Sequence, residues 1–187
     1  MMGSRVLYLA ASLGLVVLGA AVPVSAAQFD ITFDTVPGGL QCGESWQEGV
    51  FALNFAFMTE EDYHVGDNYY CNFAVNPGSL ELDGVRLYVN MWAVAGITTV
   101  EVDIEEHWST GATRVFLYTD GLATLVDSAL SGDPSTQTET LTVTADGAGF
   151  YVLAVSGYDA DLDEIRISGT TLVPLQPTTW GGVKALY

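Results

Sequence analysis

The sequence predicts an all-β protein: a two-sheet antiparallel jelly-roll sandwich of about ten strands, following an N-terminal signal helix. Three observations predict it. Apolar and polar residues alternate with a period of two along much of the chain, as where Val100, Val102 and Ile104 are interleaved with Glu101, Asp103 and Glu105. Turn residues recur at roughly ten- to fifteen-residue intervals, as in a protein of many short strands. No stretch of the mature region carries the 3.6-residue period of an amphipathic helix. With 49% apolar and 11% aromatic residues, a chain of 187 residues buries enough surface to fold, and it is long enough for one sizeable core.

The elements follow in chain order. Arg5 and the free amine give a positive start, Val6 to Val22 an apolar stretch, and Val24-Ser25-Ala26 a small-residue cleavage pattern. This reads as a secretory signal peptide over residues 1–26, with the β domain over 27–172 and a Pro-containing linker and tail over 173–187. The expected product is a secreted or cell-surface protein with no membrane span once the signal is removed, since Val6 to Val22 is marginal for a span and contains Ser12, Gly14 and Gly19.

Phe29 to Phe33 alternates, then Pro37-Gly38-Gly39 ends the strand. Gly49 to Phe57 is an apolar run, Met58 to Asp67 is polar and loop-like, and Tyr69 to Val75 reads as a short strand before the turn Asn76-Pro77-Gly78. Leu80 to Met91 contains a strand, or a hairpin about Asp83-Gly84. Strands are then expected over Thr98 to Glu105, Arg114 to Thr119, Ala123 to Val126, Thr138 to Thr144, Phe150 to Ser156 and Leu162 to Ile167.

Charge excludes one class of partner. With 23 acidic against five basic residues the net charge is −18, which repels nucleic acid. Cys42 and Cys71 are the two cysteines, with no CxxC and no histidine at ligand spacing to either, so in an oxidising compartment they are expected to form one disulfide. There is no GxSxG, no phosphate-cradling glycine loop and no dinucleotide fingerprint.

Several stretches resemble a group of secreted bacterial β-sandwich domains. They are Phe33-Asp34, Trp46 to Val50, Val100 to Ile104, Val115 to Tyr118, Leu141 to Thr144 and Leu162 to Ile167. These domains are related to galactose-binding and carbohydrate-binding-module jelly rolls and are frequent in proteins with the PEP-CTERM sorting signal. The chain departs from that pattern by ending in Thr179-Trp180-Gly181-Gly182-Val183-Lys184-Ala185-Leu186-Tyr187, similar to a tail of exported bacterial proteins. The resemblance implies a glycan or another cell-surface component as partner, and calcium as a structural cofactor. The matching calcium positions are Asp34 after the first strand and Asp163 beginning the last, with Glu164 adjacent. The Asp159 to Glu164 run is not an EF-hand, because Glu164 stands where that loop needs glycine. Glu60-Glu61-Asp62 with Asp67 is a second acidic candidate.

Glu101-Val102-Asp103-Ile104-Glu105 resembles the E-x-D-x-E strand motif of laminarinase-type glycoside hydrolases. That resemblance implies Glu101 as nucleophile, Glu105 as acid/base and Asp103 between them. Alternation places the three carboxylates on one face, but the two Glu Cα atoms stand about 13 Å apart on an extended strand, and a retaining pair must bring its carboxyls to about 5 Å. The alternative is a strand with its core face on Val100, Val102 and Ile104 and a charged, soluble outer face. For sugar stacking the candidate rings are Trp46, Trp92, Trp108 and Tyr70. The favoured expectation is a non-enzymatic binding protein, with a structural or adhesive surface protein as the alternative.

Overall fold

The computed structural model describes residues 26–38, 40–58, 72–76, 78–107, 113–119, 122–132 and 138–172. The predicted signal helix and tail lie outside them, as do Cys71, Trp108, Tyr70 and the acidic candidate at Glu60 to Asp67. Among the described residues no helix is long and apolar enough to cross a membrane. The strands are β1 (Ala27–Ile31), β2 (Ser45–Glu48), β3 (Phe51–Phe57), β4 (Asn72–Asn76), β5 (Ser79–Asn90), β6 (Val94–Ala95), β7 (Thr99–Glu106), β8 (Arg114–Thr119), β9 (Leu125–Leu130), β10 (Thr138–Thr144), β11 (Tyr151–Gly169) and β12 (Thr171–Leu172). Every pairing is antiparallel, and β6 and β12 form a small ribbon of their own.

Two long strands build both layers. The first half of β11 lies between β8 and the second half of β5, and β3 and β2 continue that layer while β9 flanks β8. The second half of β11 lies between β7 and β1, with β10 beyond β7 and β4 on the first half of β5. Between the halves the register shifts at Gly157, Tyr158 and Ala160. Asp159 takes φ 57° there, and Gly84 takes φ 72° opposite it on β5. Strands that pass from one layer to the other turn through such bulges.

The inward faces meet in one core. Leu53 and Phe55 of β3, Leu87 and Val89 of β5, and Leu153 and Val155 of β11 face Val100, Val102 and Ile104 of β7, Leu141 and Val143 of β10, and Ile165 and Ile167. The first layer is buried on its outer face too. Tyr88, Tyr118, Val152 and Ala154 cluster there, and the Arg86 guanidinium, 2% exposed, donates to the Tyr118 hydroxyl at 2.8 Å within 6 Å of the Tyr88, Phe116 and Tyr118 rings.

Four boundaries differ from the sequence expectation. β9 runs Leu125–Leu130, where the sequence predicts Ala123 to Val126. Asp83-Gly84 is a bulge within one continuous β5, because β11 supplies a partner on both sides of it. Phe150 to Ser156 and Leu162 to Ile167 are one strand, the polar Tyr158 to Asp161 being the corner that joins them. The run from Gly49 is preceded by β2, which makes a tight hairpin through Gly49 at φ 58°.

Candidate functional site

The E-x-D-x-E motif lies on the outer face of the second layer, and the register sets its surroundings. Three rows cross the sheet there: Thr142, Glu101 and Arg166; Thr140, Asp103 and Glu164; Thr138, Glu105 and Asp161. Two rows thus oppose like charges, an unfavourable arrangement unless a cation lies diagonally across them. Arg166 supplies it. Its Nε donates to Glu101 Oε2 at 3.0 Å, Nη1 to Glu164 Oε2 at 2.9 Å and to Asp103 Oδ2, and Nη2 to Asp103 Oδ1 at 2.8 Å. Thr140 Oγ1 adds a bond to Asp103 Oδ1 at 2.6 Å.

These contacts hold Asp103 below the usual carboxylate range, chiefly through its hydrogen bonds to Arg166, and raise the Arg166 guanidinium further still. Glycoside hydrolysis by a retaining pair needs one carboxyl kept protonated. In this strip the carboxyl that is pushed up is Asp163, by burial first and then by Asp161, Glu105 and Asp103. The register shift between Leu162 and Glu164 makes Asp163 the extra residue of a bulge. His107 closes this end: Nε2 lies 2.9 Å from Asp161 Oδ2, and the backbone N–H donates to the Asp159 carbonyl at 3.0 Å. The contact with Asp161 raises the imidazole, with Glu105 and Asp159 contributing.

The proposed calcium residues are placed as follows. Asp163 and Glu164 are adjacent at the bulge, Glu164 is engaged by Arg166, and Asp34 Oδ2 accepts from Thr32 Oγ1 at 3.0 Å. Among the described residues no group of three or more His, Cys, Asp or Glu side chains is arranged to hold a metal ion. Of the aromatic candidates, Trp46 packs against the core from β2, and Trp92 follows β5, where its backbone N–H donates to Asn90 Oδ1 at 2.9 Å. Cys42 also packs against the core, and Cys71 lies outside the described residues.

A second set of carboxylates works where the layers meet. Glu48 Oε1 on β2 accepts from the backbone N–H groups of Thr32 and Phe33 at 2.8 and 3.1 Å, holding Phe33 at φ 60°. Glu106 Oε1, ending β7, accepts from the Thr113 N–H at 2.6 Å and the Ser131 hydroxyl at 2.7 Å. Asp127 on β9 accepts from the Thr144 N–H of β10 at 2.8 Å and from its hydroxyl at 2.9 Å, while Glu139 accepts from the Gly132 N–H at 2.9 Å. Peptide N–H groups do here what basic side chains do in a less acidic protein. Sequence reasoning passed over Glu106 and Arg166. Glu106 had a signal, standing where the inward stripe of Val100, Val102 and Ile104 requires a buried residue.

No known family's sequence profile matches this chain, and no curated protein matches it. Solved structures overlap with it loosely. A carbohydrate-binding module of family 6 from Clostridium stercorarium, solved with cellobiose, has TM-score 0.38 and 18% identity over 59% of this chain and 91% of that one. The C-terminal family 6 module of a marine laminarinase from Zobellia galactanivorans has TM-score 0.40 and 10% identity over 76% and 99%. A family 6 module of Cellvibrio mixtus lichenase 5A, solved with cellotriose, has TM-score 0.34 and 18% identity over 79% and 98%. At such distances the function has to be argued from this chain's own residues.

Proposed function

We propose that the chain is a non-catalytic β-sandwich module of an exported protein, binding carbohydrate or another cell-surface component. The observation that supports the non-catalytic half is the Arg166 clamp. It holds Glu101, Asp103 and Glu164 together, so the motif's first two carboxylates are engaged by a guanidinium of the protein itself. Support for the binding half lies in the aromatic residues of the connecting segments, Trp92 first, whose flat faces suit pyranose rings.

A glycan array and a reducing-sugar assay on β-glucans test both halves. The expected result is glycan binding without release of sugar, weakened about tenfold by Trp92→Ala, the loss of one stacking contact. Sugar release that disappears in Glu101→Gln would overturn the non-catalytic half, and an array without signal would overturn the carbohydrate. The second reading, a structural or adhesive protein without a small ligand, is favoured by β9. Its Leu125, Val126 and Leu130 are 49, 38 and 54% exposed on a strand that, among the described residues, pairs with β8 alone, a surface suited to protein contact.

A further inference from the structure

Asp161 has an acid on either side. The register sets it against Glu81 of β5 and Glu105 of β7, so three carboxylates stand abreast across the sheet. On β11 itself Asp159 precedes it and Asp163 follows it. Carboxylates opposed in this way repel unless a cation lies among them. Around Glu101, Asp103 and Glu164 that cation is Arg166, and beside Asp161 it is His107, the residue after β7. His107 grips the corner twice. Its backbone N–H donates to the Asp159 carbonyl at 3.0 Å, and its Nε2 lies 2.9 Å from Asp161 Oδ2. Asp161 Oδ1 is buried and has no hydrogen-bond partner, so the imidazole is the one side chain among the described residues that this carboxylate bonds. The backbone here is already under constraint, with Asp159 at φ 57° and the register shifted between Gly157 and Ala160.

We propose that His107 is a pH-operated latch on the corner where β11 passes between the two layers, closed while the imidazole is charged and open once it is neutral. The titratable groups facing the ring are Asp161 and Asp159 of β11, Glu105 of β7, Asp163 at the bulge and Glu81 of β5. Asp161 raises the imidazole from 6.5, with Glu105 and Asp159 adding to it, so the latch holds below 6.5 and lets go as pH climbs through the raised value. The other end of the strip does not follow. Arg166 keeps its charge over this whole range, and its bonds to Glu101, Asp103 and Glu164 keep the second half of β11 on β7. The release is therefore local: the joint between the layers loosens while the ladders on either side of Arg166 stay paired.

The test is amide hydrogen exchange by NMR on the isotope-labelled protein, with the His107 ring titrated in the same samples. Exchange is read as protection factors, which removes its intrinsic dependence on pH. The expected result is that protection of the amide at position 107 falls about fivefold along the ring's own titration curve, the size that a partly exposed ion pair allows. The β7–β11 ladder amides beside Arg166 keep theirs. His107→Gln, which can still bond Asp161 but carries no titratable charge, should abolish the fall. Asp161→Asn should lower the ring's midpoint and abolish the fall as well, a second reading that leaves the histidine in place. The proposal is overturned if protection at position 107 is constant across the ring's titration, or if the fall survives either substitution. It is overturned equally if the amides beside Arg166 lose protection in step, because the event would then be global.

Discussion

The carboxylates at the seams and those on the outer face of the second layer share one chemistry in opposite surroundings. At the seams Glu48, Glu106, Asp127 and Glu139 each receive peptide N–H groups or hydroxyls. On the outer face Glu101, Asp103 and Glu164 share Arg166, Asp161 has His107, and Asp163 stands among like charges. A chain with five basic residues cannot neutralise 23 acids pairwise. It uses many of them as hydrogen-bond acceptors for its own backbone, and concentrates its few cations where register forces carboxylates face to face.

That contrast can be broken from either side. The largest effect is expected at the seam. Glu106→Ala removes a buried acceptor from Thr113 and Ser131, and should lower unfolding free energy by about 3 kcal/mol in urea denaturation. Next comes the outer clamp: Arg166→Met leaves three carboxylates without their cation, at a cost of about 2 kcal/mol after allowance for the partial exposure of Glu101. If the clamp is electrostatic, adding Asp103→Asn to that variant should recover part of the loss. A fully additive double mutant would show that the groups do not interact. At the exposed β9–β10 seam Asp127→Asn should cost about 1 kcal/mol or less, since an amide oxygen can still accept from Thr144.

The smallest effect is in pH dependence, where the shifted groups form two sets of opposite sign. Asp103 and Asp127 are lowered from 3.8, so their contribution is present above that value and is lost as pH falls through their depressed values. His107 is raised from 6.5, so its contribution is full below 6.5 and is lost as pH rises through the raised value. Asp163, raised from 3.8, likewise favours the folded state at low pH and loses that contribution as pH climbs through its own raised value. Stability measured by denaturation across pH should therefore fall as pH rises above 6.5, and His107→Gln should flatten that fall. A wild-type curve that shows no such fall above pH 6.5 would remove His107 from the account.

How much of this is legible in the sequence depends on whether the information is local. The alternation of Val100, Val102 and Ile104 fixes a strand and its buried face by itself, and the outer position of Glu101, Asp103 and Glu105 follows from the same period. That Arg166 meets them is a fact of register between strands about 65 residues apart, and register is written in no single strand. Arg86 shows the same limit. Alternation assigns it to the outer face of β5, but the burial of that face among Tyr88, Phe116 and Tyr118 comes from neighbours on other strands. The corner at Tyr158 to Asp161 reads as a loop because its polar residues face outward, while its backbone stays paired to β5 and β7.

The long β11 has a consequence for how the molecule comes into being. It is the shared middle of both layers, pairing with β5 and β8 in one and with β1 and β7 in the other. The first described strand, Ala27–Ile31, finds its partner only at Ile165 to Gly169. Neither layer can close until almost all of the domain has been synthesised, so the emerging chain has no half that is stable alone. Folding dominated by such distant pairings is slow. The polypeptide therefore stays open until β11 arrives, and that strand then completes both layers together.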